Sequence, residues 1–154
     1  MKQLNKHIAL FSFICFLTVC LFSCKKNDEL SGNSNVPFIK IISVSSTTIL
    51  QFKDSLLITF EYSDGDGDIG ETNPDLNDIQ IKDKRLSKAD YYFIKPLSPP
   101  GSTIKTTGTI AVQMKNTFLL GTASSETTTF ELKLKDRAGN WSNSIFTPTI
   151  TITK

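Results

Sequence analysis

The densest chemistry in the chain lies in Tyr62-Ser63-Asp64-Gly65-Asp66-Gly67-Asp68-Ile69-Gly70-Glu71, followed by Asn73, Asp75 and Asp78. Three carboxylates at alternate positions, separated by glycines that let the backbone curl, can converge on one hard cation, as a calcium loop requires. Like charges crowded in a compact loop raise its free energy, so they either spread into water or are neutralised by a metal. Asp64, Asp66, Asp68 and Glu71 are therefore candidate Ca2+ ligands. The loop is not an EF-hand, because Ile69 stands where that loop needs glycine and Asp75, not Glu, holds the twelfth position. The competing reading is a pair of tight Asp-Gly turns, which leaves Asp68 and Glu71 surplus.

A second cluster reads Leu134-Lys135-Asp136-Arg137-Ala138-Gly139-Asn140-Trp141-Ser142. Gly139-Asn140 reads first as a hairpin turn, while Asp136 and Asn140 are oxygen donors that can add to a cation shell. Trp141 reads as a cover on the edge of the core, with an exposed contact residue as the alternative.

Catalytic chemistry is constrained by what is missing. The only histidine is His7, and the cysteines are Cys15, Cys20 and Cys24. Beyond residue 24 there is neither imidazole nor thiol, which removes Ser-His-Asp and Cys-His catalysis and histidine-ligated metals. The acidic residues sit on a glycine-rich loop instead of facing each other across an apolar cleft, so paired-carboxylate hydrolysis is not expected either. The expectation is a domain that is not an enzyme.

Cys24 carries a different chemistry. Lys2 and Lys6 precede the uncharged run Ile8 to Phe22, fifteen residues long, and Ser23 comes just before Cys24. A basic start, an apolar run shorter than the roughly 20 residues of a stable span, and a small residue before the break form the layout of a secretory signal. The alternative is an uncleaved apolar anchor with an incidental cysteine. Leu21-Phe22-Ser23-Cys24 resembles the lipobox of bacterial lipoproteins, with Phe22 bulkier than usual for its place. That resemblance implies cleavage before Cys24, a diacylglycerol on its sulfur and an acylated amine, and several chains anchor a protein durably. Residues 1–23 are then a signal peptide and 24–36 a lipidated cysteine with a flexible polar tether. Lys25-Lys26-Asn27-Asp28-Glu29 is similar to the charged segment behind the cysteine in Bacteroidetes lipoproteins sent to the cell exterior.

The elements that must position these residues are strands. Leu56, Ile58, Phe60 and Tyr62 alternate with Leu57, Thr59 and Glu61, and Phe130, Leu132 and Leu134 alternate with Glu131, Lys133 and Lys135. Period two predicts half-buried strands. Strands are predicted over 37–44, 48–52, 55–63, 77–82, 90–95, 108–114, 127–136 and 144–153, with a short turn over 84–90, a loop at Pro96-Leu97-Ser98-Pro99-Pro100-Gly101, and no helix. Seven or eight short strands over residues 37–154 predict one all-β domain, an antiparallel two-sheet sandwich of immunoglobulin or fibronectin type III shape, with a small closed barrel as the alternative. If 55–63 is strand B and 127–136 strand F, their following loops share one pole, and Asp136 or Asn140 can complete a shell begun by Asp64, Asp66 and Asp68.

The Asp136 to Ser142 stretch resembles the last hairpin of bacterial immunoglobulin-like domains, Asp-x-Ala-Gly-Asn-x-Ser, and with the aspartate loop is similar to small Bacteroidetes lipoproteins. The resemblance covers most of the chain beyond the tether and implies a fold and an outer-membrane location more than an activity. Of 17 basic residues, Lys2 and Lys6 belong to the signal, so 15 remain against 15 acidic ones. A neutral domain without a basic stripe is not expected to bind nucleic acid. The expected partners are the lipid bilayer, through acylated Cys24, and a protein or glycan. The expected role is a membrane-anchored structural or binding module stabilised by Ca2+. The alternative is an accessory glycan-binding lipoprotein of a polysaccharide uptake system, with Trp141, Tyr91 and Tyr92 as a stacking platform.

Overall fold

A computed structural model describes residues 34–154, so the signal at 1–23, Cys24 and the tether up to residue 33 lie outside the described residues. Ten strands run in the order β1 (Phe38–Val44), β2 (Thr48–Leu50), β3 (Leu56–Asp64), β4 (Ile79–Asp83), β5 (Asp90–Tyr92), β6 (Thr106–Met114), β7 (Ser125–Thr128), β8 (Phe130–Leu134), β9 (Ile145–Phe146) and β10 (Ile150–Thr153). None of the described residues is helical. No helix among them is long and apolar enough to cross a membrane.

The strands form three open sheets, ordered β1-β3-β6, β5-β4-β8-β9 and β2-β10-β7. All pairings are antiparallel except β2 with β10. The closed-barrel alternative is thereby excluded, since all three sheets end in free edges. Side-chain alternation places Ile58 and Phe60 of β3 and Ile110 and Val112 of β6 in one cluster with Ile79 and Ile81 of β4 and Leu132 and Leu134 of β8. Each strand thus contributes its inward face to a single core, and the hydrophobic driving force is about 25 cal/mol per Å2 of apolar surface removed from water.

The expected strands hold, with three differences. Residues 48–52 stop at Leu50 because the chain turns at Phe52, which takes φ +57. Residues 90–95 pair only as far as Tyr92; beyond it, Ile94 serves residue 71 with its carbonyl, not a neighbouring long strand. The two last runs are each broken, at Thr129 and across Thr147-Pro148-Thr149, so that the chain passes from one sheet to another. Pro148 cannot donate to a ladder. Thr147 fills the break from both sides, accepting from Phe130 N at its hydroxyl and donating its own N–H to Phe130 O.

Away from the aspartate loop, Arg85 closes a clasp that the sequence does not advertise. Its guanidinium reaches Asp83 at 2.7 Å, Glu126 at 2.7 Å and the Phe118 carbonyl at 3.0 Å. Asp83 also accepts from Thr128 Oγ1, and Glu126 accepts from the Leu120 and Gly121 amides. Burial, the largest single influence, would raise the Asp83 carboxyl, but the bonds from Arg85 and Thr128 together outweigh it and hold the group below its ordinary range.

Candidate metal centre

β3 delivers the first carboxylate. Its final residue, Asp64, pairs with Thr106 of β6 and is fully buried. One carboxylate oxygen, Oδ2, accepts the Asp68 N–H at 2.8 Å, which folds the five residues from 64 to 68 into a loop. Asp68 repeats the pattern: its Oδ2 accepts the Ala138 N–H at 3.0 Å and its carbonyl accepts the Arg137 N–H at 3.1 Å. Ile69, in the position where an EF-hand has glycine, is a core residue with no exposure and bridges Asp136. The aspartate loop is therefore stitched to the 136–140 turn by backbone bonds, and Arg137 adds a donor from Nη1 to the Gly70 carbonyl.

Two glycines are required by the close approach of other backbone. Gly67 and Gly70 have φ of +69 and +90, and a Cβ on either would overlap a main-chain carbonyl, of Ile104 or of Lys95 respectively. Only glycine combines that dihedral with that proximity at low cost.

This folding brings together oxygens of Asp64, Asp68 and Asp136, all within 4.8 Å of one another. Two oxygens that both ligate calcium at its usual distance stand at most about 5 Å apart, so a single cation fits between the three. Asp64 Oδ1, Asp66 Oδ1 and Asp68 Oδ1 are buried and lack any hydrogen-bond partner. In Asp64 and Asp68 the second oxygen is the one held by an amide, which leaves the bare oxygen free to serve a cation. A buried acceptor left unmatched costs about 1–3 kcal/mol, more when charged. The donor set is entirely oxygen, the kind that suits hard cations such as calcium, magnesium and manganese.

The electrostatics follow from that crowding. Burial pushes the Asp64 carboxyl up to about 6, opposed by the Asp68 amide and reinforced by the charges of Asp66, Asp68 and Asp136. Burial, then Asp136 and Asp66, also raise Asp68, while the Ala138 amide and Arg137 pull it back.

The remaining expected site residues take other places. Asn140 donates its main-chain N–H to Asp136 Oδ1 at 2.7 Å and its side-chain Nδ2 to Asp136 Oδ2 at 2.9 Å, so it positions Asp136. Asp66 and Glu71 stand outside the group of three: Asp66 lies near enough for its charge to raise both Asp64 and Asp68, while the Glu71 amide donates to the Ile94 carbonyl and Glu71 lines a recess of about 420 Å3 with Pro74, Phe93 and Pro96. Asp78, fully buried with Oδ1 unmatched, lies near Glu71 and Lys135, and burial pushes its carboxyl up to about 6. Trp141 lies outside the core cluster, 38% exposed, with Lys135 Nζ 5.8 Å from its ring centroid. Tyr91 points outward and Tyr92 packs toward the core, as alternation along a strand demands.

The chain matches no protein-family model and no curated protein. Its chemistry is read from its own geometry. Arg137 is the participant that sequence reasoning passed over, although its place beside Asp136, as a cation at the edge of an acidic cluster, was the available signal.

Proposed function

We propose that this chain is a lipid-anchored lipoprotein of the bacterial envelope, held by Cys24 at the outer membrane, whose folded part is a non-catalytic structural or binding module stabilised by calcium. The observation that carries the reading is the set of bare, buried carboxylate oxygens on Asp64, Asp66 and Asp68, with Asp136 brought against them from a distant part of the chain. Tight Asp-Gly turns alone would leave those oxygens in water. A cation offers what the fold withholds from them.

An immunoglobulin-like, fibronectin type III-like sandwich is supported by the strand order. β1 and β2, close in sequence, join different sheets, and β7 with β8 and β9 with β10 form two runs that change sheet. Counting each of these pairs once leaves seven strands, three hydrogen-bonded in one sheet and four in another, with buried side chains of both in one core. The mechanism is preorganisation: a bound cation fixes loops that would otherwise fluctuate, which lowers the ordering entropy of any contact made there.

Calorimetric titration of the metal-depleted chain with calcium, with Asp66→Ala as the control, tests the cation. Expected are heat of binding and a raised melting temperature in the wild type, both weakened in the variant; neither in the wild type overturns the reading. Labelling cells with radioactive palmitate tests the anchor, with incorporation expected in the wild type and none in Cys24→Ser.

A glycan-binding role is favoured by a separate observation. Tyr91, 53% exposed, borders a depression of about 480 Å3 that also carries Asp90, Gln113, Lys115 and Asn116. An aromatic face beside amides and charges is the lining a sugar ring uses. Binding on a glycan array that Tyr91→Ala abolishes would establish it, and an empty array would end it.

A further inference from the structure

We infer that cation binding at the Asp64-Asp68-Asp136 centre fastens residues 34–36, the root of the tether, to the domain, so that the centre lies at the anchored pole and sets how freely the domain swings. The inference rests on the proposed cation site and adds its consequence for the chain that leads to the membrane.

The contacts are few and specific. Gly65, between Asp64 and Asp66, donates its N–H to the Ser34 carbonyl at 2.9 Å. Asn140, which holds Asp136 through both of that carboxylate's oxygens, donates Nδ2 to the Asn35 carbonyl at 3.4 Å. Ser34, Asn35 and Val36 are themselves exposed, so packing contributes little to holding them. The next segment is fixed independently: Pro37 and Ile39 are buried, and Asn143 makes two 2.9 Å bonds to the Ile39 main chain. Residues 34–36 thus depend on two jaws, the 64–68 loop and the 136–140 turn.

Those jaws carry the carboxylates that repel each other. Without a cation, the charges of Asp64, Asp66 and Asp68 push against Asp136 and drive the jaws apart, weakening the grip of Gly65 and Asn140 together. With a cation, the same charges draw inward and the grip closes. Nine residues lie between Cys24 and Ser34, and the ten steps from Cα to Cα reach at most about 35 Å when fully extended. Releasing 34–36 lengthens the free leash and frees its angle at the domain. The closed centre therefore lies at the root of the anchored tether.

Hydrogen exchange read by mass spectrometry on the full chain in its membrane, with calcium or with a calcium chelator, tests this. Expected is slowing by about tenfold or more on calcium addition in peptides covering both 63–70 and 33–38, lost from both in Asp66→Ala. Slowing at 63–70 with 33–38 unchanged overturns the clamp while the cation site stands. No change in either segment overturns both.

Discussion

Replacing Asp64 by Asn gives a change of sign that separates a cation centre from a hydrogen-bonded turn. Asp64 is fully buried, with Oδ2 held by the Asp68 amide and Oδ1 unmatched beside Asp66, Asp68 and Asp136. Asparagine keeps the acceptor for Asp68 and places an amide donor where the bare oxygen stood. Burial and like charge raise this carboxyl from 3.8 to about 6. At about 1.4 kcal/mol per unit, that difference sets a ceiling of about 3 kcal/mol on the strain that Asn relieves at neutral pH. For a domain of this size, a gain of about 1–3 kcal/mol corresponds to a rise in melting temperature of roughly 4–12 °C in chelator. Calcium reverses the order. At a hundredfold excess over its dissociation constant a ligand adds about 2.7 kcal/mol to the wild type, while Asp64→Asn removes a charged ligand and forfeits most of it. Melting curves of both chains by circular dichroism, in chelator and in calcium, read the crossing directly. A variant less stable than wild type in chelator, together with a wild-type curve that calcium leaves in place, would refute the argument for a cation centre.

Three further outcomes follow from particular contacts. Asp78 is pushed up to about 6 from 3.8, chiefly by burial, so its folded form binds a proton more readily than the unfolded chain. Its contribution is most favourable below about pH 4 and is lost as pH rises through about 6. Asp78→Asn, whose oxygen still accepts the long bond from Ile94 N, should gain up to about 3 kcal/mol at neutral pH and nothing near pH 4, as measured by urea unfolding across that range. Arg85→Ala leaves Asp83 and Glu126 facing each other without a cation and strips the Phe118 carbonyl of its donor, and should cost about 3 kcal/mol by the same measurement. Gly67→Ala forces a Cβ against the Ile104 carbonyl at a positive φ; it should weaken calcium binding at least about tenfold in calorimetry with the core melting still cooperative.

Much of the fold was legible because one rule governs it. Strands half-buried on a shared core must alternate, and β6, β8 and β3 as far as Tyr62 do so, whereas Ser63 and Asp64 at the end of β3 are both buried. Ends and breaks were less legible. β5 ends early because residues beyond Tyr92 serve the 69–71 segment with main-chain bonds, which side-chain pattern does not encode. The division of residues 127–136 and 144–153 depends on which sheet each half joins, and pairing partners distant in sequence decide that.

The sequence by itself determined the composition of the site. Alternating Asp and Gly from 64 to 68 makes a curled, oxygen-rich loop in almost any setting, and the absence of histidine and thiol beyond Cys24 fixes what chemistry that loop cannot join. Only the tertiary structure decided who completes it. Asp136 arrives and Glu71 departs because the Arg137 N–H to Asp68 carbonyl bond, beside the Ile69–Asp136 bridge, and the Glu71 N–H to Ile94 carbonyl bond turn the two halves of the loop toward different neighbours. Likewise, nothing local ties Ser34 to Gly65 or Asn35 to Asn140. Ligand type is a property of residues, whereas convergence requires that segments far apart in the chain be held at one point, and the closing of the core holds them there.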